Sequence, residues 1–210
     1  MCLSPDNANL PESTKLKVLV VDDEPTLRLG FAYALSNRTT IVETAATGRQ
    51  AMERIAVEDF DIMILDLRMP ELDGLEVIQQ LRSQGNRMFI VLCSAAMSPN
   101  AVLRAIRCGV VDFLLKPVRP ADLRQVVEFV TKPDRQALPL ALRAVREGRP
   151  AEALRILKEN QKPTPQAVCW LELLNAIQVS EARPDSNEGE LEEKVRRSLP
   201  TLAFHAPPML

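Results

Sequence analysis

Apolar positions along the first 130 residues follow two alternating rhythms. Short runs with few or no polar residues, at Lys17–Val21, Ile62–Leu65, Met88–Ser94 and Asp112–Leu115, read as strands covered on both faces, and the Thr-, Ile- and Val-rich stretch Thr39–Ala45 reads as a fifth. Each is followed by apolar residues at helical spacing. These are Leu27, Phe31, Ala34 and Leu35 over 24–36, Ala51, Ile55 and Ala56 over 48–57, and Leu75, Val77, Ile78 and Leu81 over 74–82. Val102, Ala105 and Ile106 over 101–108, then Leu123, Val126 and Val127 over 121–130, complete the series. Five strand–helix units in a row predict an α/β fold with a doubly wound parallel sheet. Right-handed crossovers then bring every strand-to-helix loop to one edge of that sheet.

Past residue 130 helices follow one another with no strand between them. Leu138, Leu142 and Val145 mark a helix over 137–147, which Gly148-Arg-Pro150 breaks. Pro150 opens the next helix, carrying Ala153, Leu154, Ile156 and Leu157. After Pro163-Thr-Pro165 a third helix is expected over 167–179, through Val168, Leu171, Leu174 and Ile177. Residues 182–190 read as a flexible acidic linker, 191–199 as one more short helix, and 1–15 as a loose polar arm. The expected organisation is thus an arm (1–15), an α/β domain (16–131), a helical segment (136–181) and a linker, short helix and tail (182–210).

Composition narrows the class without choosing a function. With 46% hydrophobic and 26% charged residues in 210, the chain has globular proportions, and a net charge of −2 gives no overall basic balance for nucleic acid. No apolar run approaches the ~20 residues of a membrane span. The N-terminus lacks the basic head and apolar core of a secretory signal. Cys2, Cys93, Cys108 and Cys169 are too scattered for a zinc site or redox pair, so a reducing cytoplasm is the expected setting.

The chemistry gathers at the carboxyl ends of the strands. Asp22, Asp23, Asp66, Ser94 and Lys116 all fall there, so the predicted sheet brings them to one mouth, where open α/β sheets bind ligands. Three carboxylates in one cleft repel unless a cation joins them, and Mg²⁺ held by carboxylates and a phosphoryl oxygen answers that need. Lys116 adds a fixed charge and Ser94 a hydroxyl, with small Ala95 and Ala96 leaving room beside it. A metal, a cation and a carboxylate nucleophile suit phosphoryl transfer.

These residues occur in motifs that resemble the receiver domain of two-component response regulators, the CheY-like superfamily. The matching pieces are Val20-Val21-Asp22-Asp23-Glu24-Pro25, Leu65-Asp66-Leu67-Arg68-Met69-Pro70 with Asp73-Gly74, Cys93-Ser94-Ala95, and Phe113-Leu-Leu-Lys116-Pro117. The resemblance spans about residues 16–131 and implies a (βα)₅ flavodoxin-like fold. By this resemblance Asp66 accepts phosphate from a histidine kinase or a histidine phosphotransfer protein. Asp23, Asp66 and the Arg68 carbonyl bind Mg²⁺, with Asp22 helping through water. Ser94 and Lys116 hold the phosphoryl group, Lys116-Pro117 is a cis peptide, and Phe113 is the switch aromatic. The Arg68 side chain either shields the phosphoryl group or projects into solvent. The chain is then a signalling phosphoacceptor rather than an enzyme.

The output is less constrained. Leu140, Ala141, Gly148, Ala153, Leu157 and Pro165 resemble a tetratricopeptide hairpin, though Asn160 departs from that pattern. The alternative is a helical appendage packed on the receiver or on a second copy. The short junction at 131–135 leads to the expectation that residues 137–179 dock on the face formed by the fourth helix, fifth strand and fifth helix, or extend a homodimer through it. A downstream protein partner fits either reading. A DNA-binding output is the alternative, with eight Lys/Arg against four acids over 132–162, but the segment past 130 is nearly neutral and spends its apolar residues on burial. A Mg²⁺-dependent phosphatase of the haloacid dehalogenase kind is disfavoured by the adjacent Asp22-Asp23 and the lack of a cap insertion. Trp170 is expected to lie too far along the chain to report on the site, and His205, in the tail, to have no phosphotransfer role.

Overall fold

The computed structural model describes residues 15–110, 112–131, 137–182 and 188–202. Five strands and nine helices run through them: β1 Leu16–Val21, α1 Pro25–Leu35, β2 Thr40–Ala45, α2 Gly48–Val57, β3 Ile62–Asp66, α3 Gly74–Ser83, β4 Phe89–Ser94, α4 Pro99–Arg107, β5 Asp112–Leu115, α5 Pro120–Thr131, α6 Ala137–Arg146, α7 Pro150–Glu159, α8 Pro165–Ala182 and α9 Glu188–Leu202. The five strands form one parallel sheet in the order β2-β1-β3-β4-β5. That order puts β3 at the centre, and all five of its residues are buried. The apolar runs of β1, β3 and β4 supply the middle of the core and helices cover both faces, as a fully parallel sheet requires.

Local chemistry sets the helix starts. Thr47 and Ser98 accept from the backbone N–H groups of Gln50 and Ala101, and Asp73 with Glu76 forms a reciprocal capping box at α3. A Cβ on Gly74 would lie 2.5 Å from the Asp66 carbonyl oxygen, so only glycine lets α3 begin against the end of β3.

Two expected helices differ in extent. The helix expected over 167–179 runs Pro165–Ala182, and the one expected over 191–199 runs Glu188–Leu202, with Pro200 in its last turn. In α8 apolar residues surround the helix, because it is covered from more than one side. Trp170, Leu173 and Leu174 are buried while α7, α9 and the α/β domain all lie against it. Residues 1–14 of the expected arm, 132–135 of the junction, 183–187 of the linker and the tail with His205 lie outside the described residues.

The helical segment packs on α4 and β5. α9 lies along α4, the Trp170 ring of α8 stacks on Phe113 of β5 with centroids 6.5 Å apart, and Arg146 of α6 sits 3.9 Å above the Phe89 ring. Gly109, with φ of 73°, lets α6 approach the α4–β5 loop so closely that a Cβ would meet Arg146 Cα at 3.0 Å. Among the described residues no helix is long and apolar enough to cross a membrane.

Candidate functional site

Strand register assembles the site. Val21 pairs with Leu65, so the residues that follow, Asp22 and Asp66, emerge side by side from β1 and β3. Asp66 pairs with Cys93, Ser94 pairs with Leu115, and the Lys116 N–H donates to the Ser94 carbonyl at 2.9 Å. Four strand ends thereby deliver Asp22, Asp23, Asp66, Ser94 and Lys116 to one edge of the sheet.

The three aspartates each offer a carboxylate oxygen within 4.8 Å of the other two, with Asp22 and Asp66 buried and Asp23 exposed. Lys116 Nζ bridges the buried pair, 2.5 Å from Asp66 Oδ2 and 2.8 Å from Asp22 Oδ2. Burial alone would lower the Lys116 pKa, but its hydrogen bonds to Asp22 and Asp66 outweigh burial and hold the ammonium above the ordinary lysine range. The other oxygens are anchored by backbone donors: Glu24 N–H to Asp22 Oδ1 at 3.0 Å, and Arg68 N–H to Asp66 Oδ1 at 3.1 Å. Asp23 has an exposed carboxylate at the mouth. This is an all-oxygen, anionic donor set, which fits a hard divalent cation such as Mg²⁺.

Ser94 is 1% exposed and its hydroxyl donates to the Ala96 carbonyl at 3.1 Å, within its own loop. Phe113 is fully buried. The Lys116–Pro117 peptide is cis. Arg68 has an exposed side chain at the rim of an open cleft of about 550 Å³ that also touches Asp23, Met69, Asp73 and Ser98. Burial pushes the Cys93 thiol, one residue before Ser94, up to about 12, so it stays protonated and belongs to the core.

Sequence reasoning missed three contributors. The Arg28 guanidinium donates to the Asp22 carbonyl at 2.6 Å and tethers the acidic loop to α1; its only signal is its place one helical turn after Glu24. Arg82 ties α3 to the loops at the opposite sheet edge through the Cys108, Asn86 and Met88 carbonyls at 2.8, 2.9 and 3.1 Å. Trp170, expected to be remote, is fully buried against Phe113, which corrects that expectation: folding of α8 onto β5 erases the sequence separation.

A parallel sheet of this order whose acids cluster beside a bridging lysine defines a class, and comparison with known proteins gives it a name. The family model of the response regulator receiver domain matches residues 18–128, just over half the chain. The chain belongs to the response regulator receiver domain family. It is 30% identical over 145 residues to the response regulator protein PilR of Pseudomonas aeruginosa, covering 68% of this chain and 33% of PilR. It is 33% identical over 114 residues to the regulatory protein AtoC of Escherichia coli, covering 53% of this chain and 24% of AtoC. The chain therefore spans a third or less of these two relatives. Among solved structures, the chemotaxis response regulator CheY4 of Vibrio cholerae superimposes with a TM-score of 0.51 at 31% identity, covering 55% of this chain and 98% of that one. A response regulator receiver protein from Pseudomonas putida gives 0.52 at 30% identity, covering 54% and 96%. The matched portions end before the helical segment in the family model, so α6–α9 are not explained by it.

Proposed function

We propose that this chain is a phosphorylation-controlled response regulator in which Asp66 accepts a phosphoryl group from a phosphohistidine of a kinase or phosphotransfer protein. The observation that carries the reading is Lys116 bridging Asp66 and Asp22 beside the exposed carboxylate of Asp23. An Asp66 carboxylate oxygen attacks phosphorus, the P–N bond breaks, and its electron pair returns to the leaving imidazole. Lys116 leaves Asp66 for a phosphoryl oxygen, and Ser94 turns its hydroxyl from Ala96 toward another. Asp22, Asp23, Asp66 and the Arg68 carbonyl would hold Mg²⁺, which when bound would supply positive charge to offset that of the transferring group.

Residues 16–131 form the receiver and α6–α9 the output, a protein-interaction element rather than a DNA reader. Several of its basic residues are paired: Arg149 with Glu147 and Glu152, Arg155 with Glu159, and Arg196 and Arg197 with Glu193, while Arg146 lies over Phe89. A homodimer through α4, β5 and α5 requires the helical segment to vacate α4 and β5 first. The test of the acceptor is mass analysis after acetyl phosphate and Mg²⁺. Wild type gains one phosphoryl group and Asp66→Asn gains none; equal modification of the two proteins would overturn the assignment.

A further inference from the structure

Three arginines, from α3, the loop after it and α6, meet at the amino edge of the sheet, opposite the acceptor site. Arg82 sends its guanidinium to the carbonyls of Cys108, Asn86, Met88 and Gly109. Arg87 lies between two of those residues, Asn86 and Met88, and its side chain is exposed. Arg146 rests its guanidinium 3.9 Å above the ring of Phe89, two residues on from Arg87. Its backbone lies against Gly109, where a Cβ would meet Arg146 Cα at 3.0 Å and the Arg146 carbonyl oxygen at 3.2 Å. One short loop thus carries Arg87, two of the carbonyls that hold Arg82, and the approach to the ring that supports Arg146. We propose that Arg82, Arg87 and Arg146 form a site for the phosphate dianion of a small phosphorylated ligand, which clamps the helical segment to the receiver.

The balance of charge selects that valence. Among the described residues one acid pairs with the three arginines: Glu147 Oε1 lies 3.3 Å from Arg146 Nη2. Glu147 also holds Arg149, which Glu152 balances in turn. Three guanidiniums against one carboxylate leave two positive charges; a second carboxylate would offset one of them and a phosphate dianion both. Burial makes the imbalance costly, because Arg82 is half-buried and the Arg146 side chain only 16% exposed. Burial first, and then the like charges of Arg87 and Arg146, push the Arg82 pKa down to about 10. Donors remain for a ligand. Four N–H groups of Arg82 are spent on carbonyls, which leaves one of its guanidinium donors unspent. The fork of Arg87 has no partner among the described residues, and such a fork matches two phosphate oxygens at once. Because Arg146 belongs to α6 and the other two to the receiver, the repulsion acts across their junction. A bound phosphate turns it into attraction on both sides.

Calorimetric titration of inorganic phosphate into the full-length protein tests the site, without Mg²⁺, at constant ionic strength and at a pH that makes phosphate a dianion. The expected result is saturable binding of one phosphate per chain, with acetate bound far more weakly. Arg87→Ala and Arg146→Leu should each weaken phosphate binding about tenfold or more, the loss of one charge-assisted contact. Arg87→Ala removes no contact within the described residues, so it decides the matter should Arg146→Leu fail to fold. Arg38→Ala, at an exposed arginine between α1 and β2, should leave the affinity unchanged, and so should Asp66→Asn at the other edge of the sheet. Saturation should also slow amide exchange in α6 several-fold. Absence of saturable binding, or binding that survives Arg87→Ala, overturns the site. An equal loss from Arg38→Ala would mark general surface attraction, and a loss confined to Asp66→Asn would put the phosphate at the acceptor; either overturns it too. Binding without slowed exchange in α6 overturns the clamp.

Discussion

Lys116 Nζ lies 2.5 Å from Asp66 Oδ2 and 2.8 Å from Asp22 Oδ2, with its own side chain only 14% exposed. One ammonium thus compensates two buried carboxylates that would otherwise repel each other. Lys116→Ala leaves them uncompensated, and losing one partner of a buried ion pair costs about 3–5 kcal/mol. Urea unfolding should show a loss of that size without metal. Millimolar Mg²⁺ should restore more stability to the variant than it adds to wild type, because the cation replaces the missing charge. An equal Mg²⁺ increment in both proteins would contradict the cluster's role as a cation site.

The approach of Gly74 to the end of β3 yields a paired prediction. At Gly74 a Cβ meets backbone atoms of Asp66 and Leu67 at 2.5 and 2.9 Å, which cannot rotate aside. Gly74→Ala should cost about 1–3 kcal/mol, the range for overpacking, and slow Asp66 phosphorylation by displacing that strand end. Gly30 in α1 has nothing within 4 Å of its would-be Cβ. Gly30→Ala should therefore stabilise by about 0.5–1 kcal/mol through helix propensity and leave phosphorylation unchanged. Chemical denaturation and acetyl phosphate kinetics on both variants check the contrast.

The sheet and the site were legible in the sequence for one physical reason. Strands buried on both faces, such as Ile62–Leu65, must be continuously apolar, and a carboxylate such as Asp66 at the end of such a run has nowhere to go but the mouth. What the sequence could not supply is register and docking. That Ser94 and Phe113 share a face follows only from the pairing of Leu92 with Phe113. That Trp170 covers Phe113 follows only from where α8 packs. α8 extends past the expected 167–179 at both ends, where Pro165-Gln166 and Ser180-Glu181 add no apolar residue to a periodic count. α9 runs three residues past the expected end at 199, to Leu202, with Pro200 in its last turn. Arg28 and Arg82 act on backbone carbonyls, which no spacing of side chains announces.

The remaining prediction concerns Asp112, at the opposite end of β5 from the site. It is fully enclosed; Oδ1 accepts from the Phe113 N–H at 2.7 Å, and Oδ2 has no partner among the described residues. Burial pushes its pKa well above the ordinary 3.8, against a smaller opposing effect of the Phe113 N–H. An acid with a raised folded-state pKa keeps its proton in the native protein after the unfolded chain has lost it. Between those two pKa values the native state binds more protons, so stability falls as pH rises above about 3.8 and levels off once the folded carboxyl has ionised. Asp112→Asn keeps an acceptor for the Phe113 N–H but cannot ionise. The two proteins should be similar in stability near pH 3.5. The variant should then become increasingly the more stable as pH rises toward neutrality, because it has no buried charge to form. Taking the difference between the proteins at each pH cancels the contributions of the other carboxylates. Denaturant midpoints measured from pH 3.5 to 8 decide it: a difference that stays flat, or that shrinks as pH rises, would show that Asp112 is not held as a buried neutral acid.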